Sequence, residues 1–117
     1  MRYYTRVKRP WDTFSEEKMR RIFSEKRRVI DIGGGLRVDP GKNNRFNEGQ
    51  AAWLRPLIKQ VEYLILDKVP DFHPDIVGDV HDLPFADASE EAILCIAVLE
   101  HVENPMRAMD EIYRTLQ

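Results

Sequence analysis

Four short apolar runs in this sequence each end on an acidic residue, and one ends on glycines as well. Val29-Ile30-Asp31-Ile32 runs into Gly33-Gly34-Gly35, Tyr63-Leu64-Ile65-Leu66 into Asp67, Asp75-Ile76-Val77 into Gly78-Asp79, and Ala92 to Leu99 into Glu100-His101. Asp82 follows closely behind Asp79. Three consecutive glycines give up backbone entropy, and what they gain is positive φ and close approach of the backbone to a ligand. A plain tight turn is the simpler alternative for Gly-Gly-Gly taken alone. Acids gathered at one rim repel phosphate by roughly 1 to 4 kcal/mol per close pair. The phosphate-binding lysine of a P-loop is absent, and the G-x-G-x-x-G pattern fails at Val38. A ligand with ribose hydroxyls and positive charge fits this rim better, with Asp67 placed to hold the diol.

These residues need parallel strands to bring them together. β-Branched runs closing on glycine suit strands buried on both faces. The pattern predicts strands over 28–32, 63–66, 75–77 and 92–99. It predicts helices over 14–27, opened by Thr13 and Glu16 as a capping box, over 48–60, opened by Asn47 with Gln50, and from Asn104-Pro105 onward. The apolar faces expected on these helices are Phe14, Met19, Ile22 and Phe23; Leu54, Leu57, Ile58 and Val61; and Met109, Ile112, Tyr113 and Leu116. Pro56 predicts a kink or restart. Alternating strands and helices imply right-handed crossovers, with ligands at the carboxyl ends of the strands.

The chain has 117 residues, enough for one domain, and its 43% hydrophobic and 32% charged content is that of a globular protein. No apolar run approaches the roughly 20 residues of a membrane span, so no membrane partner is expected. The N-terminus lacks the apolar core of a signal peptide. The single cysteine, Cys95, reads as a core residue in a reducing cytoplasm. The net charge of −2 hides an asymmetry: residues 1–28 carry ten Lys/Arg against four Asp/Glu, and the remainder eight against sixteen. The basic, aromatic start (Tyr3, Tyr4, Arg6, Lys8, Arg9, Trp11) could meet phosphates or be a solvated face. No recognition motif accompanies it, and nucleic acid is not an expected partner.

Asp31-Ile32-Gly33-Gly34-Gly35, Gly78-Asp79 through Leu83-Pro84-Phe85, and Leu99-Glu100-His101-Val102 together resemble the D-x-G-x-G, G-D-x-x-x-L-P-F and L-E-H-V segments of the class I S-adenosylmethionine-dependent methyltransferases. Within that family they resemble the small-molecule and glycan-associated "type 11" group, over residues 28–117. The resemblance implies an α/β, Rossmann-like three-layer fold with a mainly parallel sheet in the order 3-2-1-4. It divides the chain into a basic arm and helix, 1–27, and a cofactor-binding core, 28–117. S-adenosylmethionine is the implied cofactor. Asp31, Gly33, Gly34 and Gly35 would surround its methionine part, Asp67 its ribose, and Asp79 with Val80 its adenine. Asp82 and Leu83 are alternates for the adenine contact, and Glu100 completes the set. Loop-capping roles for Asp79 and Asp82, and a surface role for Asp67, are the structural alternatives.

The implied reaction moves a methyl group to an oxygen, nitrogen or carbon of a small molecule or glycan. His101, the one histidine at an expected strand end, is the candidate base, with a cofactor-side role as its alternative; His73 and His81 read as exposed loop residues. Some relatives hold a metal through E-x-x-E-H, and Ala97 replaces the first glutamate here, so no metal is expected. Two departures stand out. A polar stretch, 36–47, separates the glycines from the next helix, and the chain ends before the family's fifth strand and closing antiparallel pair. Strand 92–99 would then leave an apolar edge, from which self-association is expected. A non-catalytic cofactor-binding or interaction module is the alternative to an enzyme.

Overall fold

The computed structural model describes residues 10–42 and 46–117. The expectations for Tyr3, Tyr4, Arg6, Lys8, Arg9 and the Trp11 side chain, and for positions 43–45 of the insertion, lie outside the described residues. Helix α1 (Pro10–Glu25) leads into strand β1 (Arg28–Ile32). Helix α2 (Glu48–Ile58), strands β2 (Glu62–Asp67), β3 (Ile76–Val77) and β4 (Ala92–Leu94), and helix α3 (Pro105–Thr115) follow. Single turns of 3-10 helix lie at Pro70–Phe72 and Leu99–His101. The sheet is parallel in the order β3-β2-β1-β4, as expected.

β1 is central because its side chains alternate between two apolar layers. Val29 packs with Met19, Phe23, Leu54 and Leu94 on the side of α1 and α2. Ile30 and Ile32 pack with Leu66, Val80, Leu83, Ala108 and Ile112 on the side of α3. The register is in step, with Arg28 beside Glu62, Ile32 beside Leu66, and Asp31 beside Leu94. All four carboxyl ends therefore meet at one rim. At the opposite rim Arg28 joins Glu90, which is buried, to Glu62.

The helix caps follow the sequence where Asn supplies them. The Asn47 side chain accepts from Gln50 N at 3.0 Å and that of Asn104 from Arg107 N at 3.1 Å, with Pro105 as the first residue of α3. Thr13 is not a cap, because α1 already begins at Pro10, a residue suited to a first turn. Pro56 neither ends nor restarts α2, which runs on to Ile58. Proline there costs one hydrogen bond near a helix end, where the ladder is finishing anyway.

Three apolar expectations are corrected. β4 is three residues long rather than eight: its last pair is Leu94 with Asp31, one residue before β1 gives way to the glycine loop, and Ala97 at φ +56° then precedes the 3-10 turn. Phe14 is exposed while Met19 and Phe23 of the same helix are buried. In α3 the buried stripe is Ala108, Ile112 and Thr115, with Met109 and Tyr113 turned outward. Ala108, Ile112 and Thr115 recur at helical spacing on one face, and positions 109 and 113 fall one residue off that line.

The insertion is anchored. Leu36 is buried against the α1 side of the core, Gly41 N donates to Asp39 Oδ1 at 2.9 Å in the expected turn, and Lys42 pairs with Asp75. Among the described residues, no helix is long and apolar enough to cross a membrane.

Candidate active site at the carboxyl ends of the strands

The glycine loop is shaped from beneath by Asp31. Its Oδ1 accepts from Gly35 N at 3.0 Å, and its Oδ2 accepts from Leu36 N at 3.1 Å and from the Tyr63 hydroxyl. Asp31 is fully buried, so its carboxylate is a strut for the loop and not part of an open surface. Burial pushes its pKa up to about 6 in spite of the three donors, and burial followed by the charge of Asp31 pushes the Tyr63 hydroxyl upward too. The second strand thus supplies, through Tyr63, a clamp on the acid of the first.

Gly33 (φ +72°) and Gly34 (φ +63°) need the left-handed region, and Gly33 N donates back to Leu66 O at 2.6 Å. Gly35 is needed for space. A Cβ there would lie 2.8 Å from Ile96 O and 2.9 Å from Ile96 Cβ, so the loop leans directly on the residues after β4. Ala97 in those residues has positive φ without being glycine, a local strain of about 1 kcal/mol or more.

A cleft of about 230 Å3 opens over the ends of β1, β2 and β3. It brings together Gly33, Asp67, Asp79, Val80 and His101 from the expected set. Asp67 Oδ1 caps its own loop by accepting from Val69 N at 3.0 Å, and a carboxylate has further lone pairs to offer. Asp79 accepts from His81 N at 2.9 Å and from His81 Nδ1 at 2.7 Å; the backbone bond foremost, then the ring, holds its carboxyl below the usual range. Its side chain is 51% exposed.

Other expected residues are placed elsewhere. Asp31 lies under the loop, Gly35 faces a different cleft, and Gly34, Asp82, Leu83 and Glu100 do not line this one. Leu83 is buried in the α3-side core, where its N donates to Glu111 Oε1 at 2.8 Å. Glu100 and His101 sit on the 3-10 turn rather than at a strand end, with side chains 62% and 78% exposed. Cys95 is half-buried in the α3-side layer, and burial raises its thiol pKa.

Two residues of this cleft were not anticipated. Lys68 lines it, so the rim is less uniformly acidic than the sequence implies. His81 is no free loop residue: its Nδ1 bonds Asp79, its Nε2 accepts from Asn104 N at 3.1 Å, and its carbonyl accepts from Arg107 Nε at 3.1 Å. The backbone donor at Nε2 fixes the tautomer with the proton on Nδ1. His81 therefore ties the Asp79 loop to the start of α3. The H-D pair between Val80 and Leu83 gives no periodic signal for this, and only the neighbouring Asn104 cap hints at it.

Two solved structures are similar in fold. A putative S-adenosylmethionine-dependent methyltransferase from Methanococcus maripaludis aligns with TM-score 0.53 and 20% identity over 98% of this chain and 64% of that one. A chain in the complex between a Haloferax volcanii methyltransferase activator and a putative methyltransferase aligns with TM-score 0.56 and 21% identity, over 89% of this chain and 50% of that one. At such identities the likeness is one of fold, and this chain spans half to two thirds of their length. No curated protein matches the sequence. Residues 49–117, more than half of the chain, match the family profile described as a methyltransferase domain. That match begins after the glycine loop, so β1 and the loop rest on motif and fold, and the cleft-lining Asp67, Asp79 and His101 fall inside it. The chain belongs to the methyltransferase domain family.

Proposed function

We propose that this domain binds S-adenosylmethionine in the cleft over β1, β2 and β3 and passes its methyl group to an oxygen, nitrogen or carbon atom of a small molecule or glycan. The observation that carries it is the meeting of Gly33, Asp67 and Asp79 in one cleft. The fit is chemical. Asp67 has lone pairs for two ribose hydroxyls, Asp79 can accept from an exocyclic amino group, and Val80 is buried at the floor. The rim acids suit a ligand that carries sulfonium and ammonium charges and no phosphate.

When bound, the cofactor would supply an already activated methyl group, which the acceptor attacks in line as the neutral thioether leaves. This chain's residues supply position and a dry floor. Asp31 and Tyr63 hold the loop, Gly33 allows close approach, and His81 fixes Asp79. His101 lines the nucleoside side of the loop, so we assign it to the cofactor and not to the role of general base. A cytoplasmic setting agrees with the lone half-buried Cys95.

Calorimetric titration with S-adenosylmethionine or its demethylated product is the test: a folded protein that takes up neither contradicts the proposal. The second reading is a non-catalytic cofactor-binding or interaction module of the same fold. Transfer of radiolabelled methyl to a cell extract separates the two. Self-association through the outer edge of β4 remains part of the proposal, with an edge of three residues in place of eight; light scattering that gives a monodisperse monomer contradicts it.

A further inference from the structure

His81 lines the cleft over β1, β2 and β3 and is bonded on two sides. Its backbone N and its ring Nδ1 donate to the same oxygen of Asp79, Oδ1, at 2.9 and 2.7 Å. On the other side its Nε2 accepts from Asn104 N and its carbonyl from Arg107 Nε, both at 3.1 Å, where α3 begins. Only 18% of the His81 side chain is exposed, against 51% of that of Asp79. A ring bonded at both nitrogens is a rigid support, and it grips one carboxylate oxygen only. Among the described residues, Oδ2 of Asp79 receives no hydrogen bond and is left to a ligand.

We propose that His81 is a positioning residue that makes this cleft select a purine with an exocyclic amino group over one with an oxo group in its place, by fixing Asp79 with Oδ2 free for one donor. The inference rests on the reading of this cleft as the cofactor site. A carboxylate only accepts, so Oδ2 can take a hydrogen of the adenine amino group. An oxo group in the same pose would set oxygen against oxygen and leave the carboxylate without its bond. The oxo base carries its hydrogen on the neighbouring ring nitrogen, and only a carboxylate free to turn could follow it there. Lys68 also lines the cleft, but its charge acts on Asp79 more weakly than each contact of His81. The other role open to His81 is a mere tie between the Asp79 loop and α3, and its two ring nitrogens separate the two roles.

The test is calorimetric titration of the whole chain with S-adenosylhomocysteine and with S-inosylhomocysteine, its oxo counterpart. The wild-type chain should bind the amino form about 50-fold more tightly, the worth of a hydrogen bond to a charged group. His81→Asn keeps a side-chain donor where Nδ1 stands and loses the acceptor at Nε2; it should hold that ratio within about twofold while both affinities fall together. His81→Gln reaches the Nε2 position without the donor to Asp79, and its ratio should fall to about fivefold, since the backbone bond of residue 81 remains. Whether or not the variants fold, nitrogen NMR of the wild-type histidines should place the His81 proton on Nδ1 with S-adenosylhomocysteine bound. A wild-type ratio near one, a ratio that survives in His81→Gln or is lost in folded His81→Asn, or a proton on Nε2 overturns the role of His81 alone. Failure to bind either nucleoside overturns the cofactor assignment and this proposal with it.

Discussion

Replacing Tyr63 by Phe removes one hydroxyl from the buried cluster that shapes the glycine loop and keeps the ring that packs against Phe23 at 6.2 Å. The lost bond is charge-assisted when Asp31 is ionised. Asp31 titrates at about 6 in place of 3.8, because burial disfavours its charge. A carboxyl raised on folding binds its proton more tightly in the native state, so stability declines as pH climbs from about 4 to about 6. At about 1.4 kcal/mol per unit, the fully ionised carboxylate costs about 3 kcal/mol. Tyr63 offsets part of that cost, and Phe at this position lets the Asp31 pKa rise further. At pH 8 the variant should lose about 2 kcal/mol, the value of a hydrogen bond to a charged group, and at pH 5 about 1 kcal/mol, the value between neutral groups. Thermal unfolding should show this as a fall in Tm of about 8 °C at pH 8 and about 4 °C at pH 5. A loss that is equal at both pH values, or larger at pH 5, refutes the view of Asp31 as an ionised strut clamped by Tyr63.

Other substitutions probe neighbouring parts. Gly35→Ala brings a methyl within 2.8 Å of the Ile96 carbonyl, which is backbone and must move, and should cost about 1 to 3 kcal/mol in urea unfolding; an unchanged midpoint would show the loop to be free of β4. Arg28→Met leaves Glu90 buried without its cation and should cost about 3 kcal/mol, the low end for such pairs because Arg28 is 34% exposed; a stabilised variant would contradict this. Asp67→Asn should weaken S-adenosylhomocysteine binding about tenfold and leave stability within about 0.5 kcal/mol, and equal affinity would remove Asp67 from the site.

The sheet was legible in the sequence because its strands end abruptly. β1 is bounded by Arg28 and the glycines, and Asp67 and Asp79 mark the ends of β2 and β3, so three of four strands and the cleft they share could be placed from residue types. β4 was misjudged because an unbroken apolar run carries no signal for where pairing stops. The stop is set by the partner strand, since β1 ends one residue past Asp31, opposite Leu94. Helix phase was the other weakness. Met109 and Tyr113 are apolar and periodic with Leu116, yet α3 buries the small Ala108 and Thr115 on one line with Ile112. The polar partnerships of Asp31 with Tyr63 and of Asp79 with His81 depend on strand register and on a loop meeting a helix start. Neither leaves a trace in spacing along the chain.

Under the cofactor proposal, the cleft of Gly33, Asp67 and Asp79 prefers a cationic, phosphate-free nucleoside. Calorimetric titration of the folded chain with S-adenosylmethionine, set beside fluorescence titration with NADH, tests that preference directly. Saturable binding of S-adenosylmethionine that NADH does not displace is the predicted result. Saturable binding of NADH with no heat from S-adenosylmethionine would contradict it.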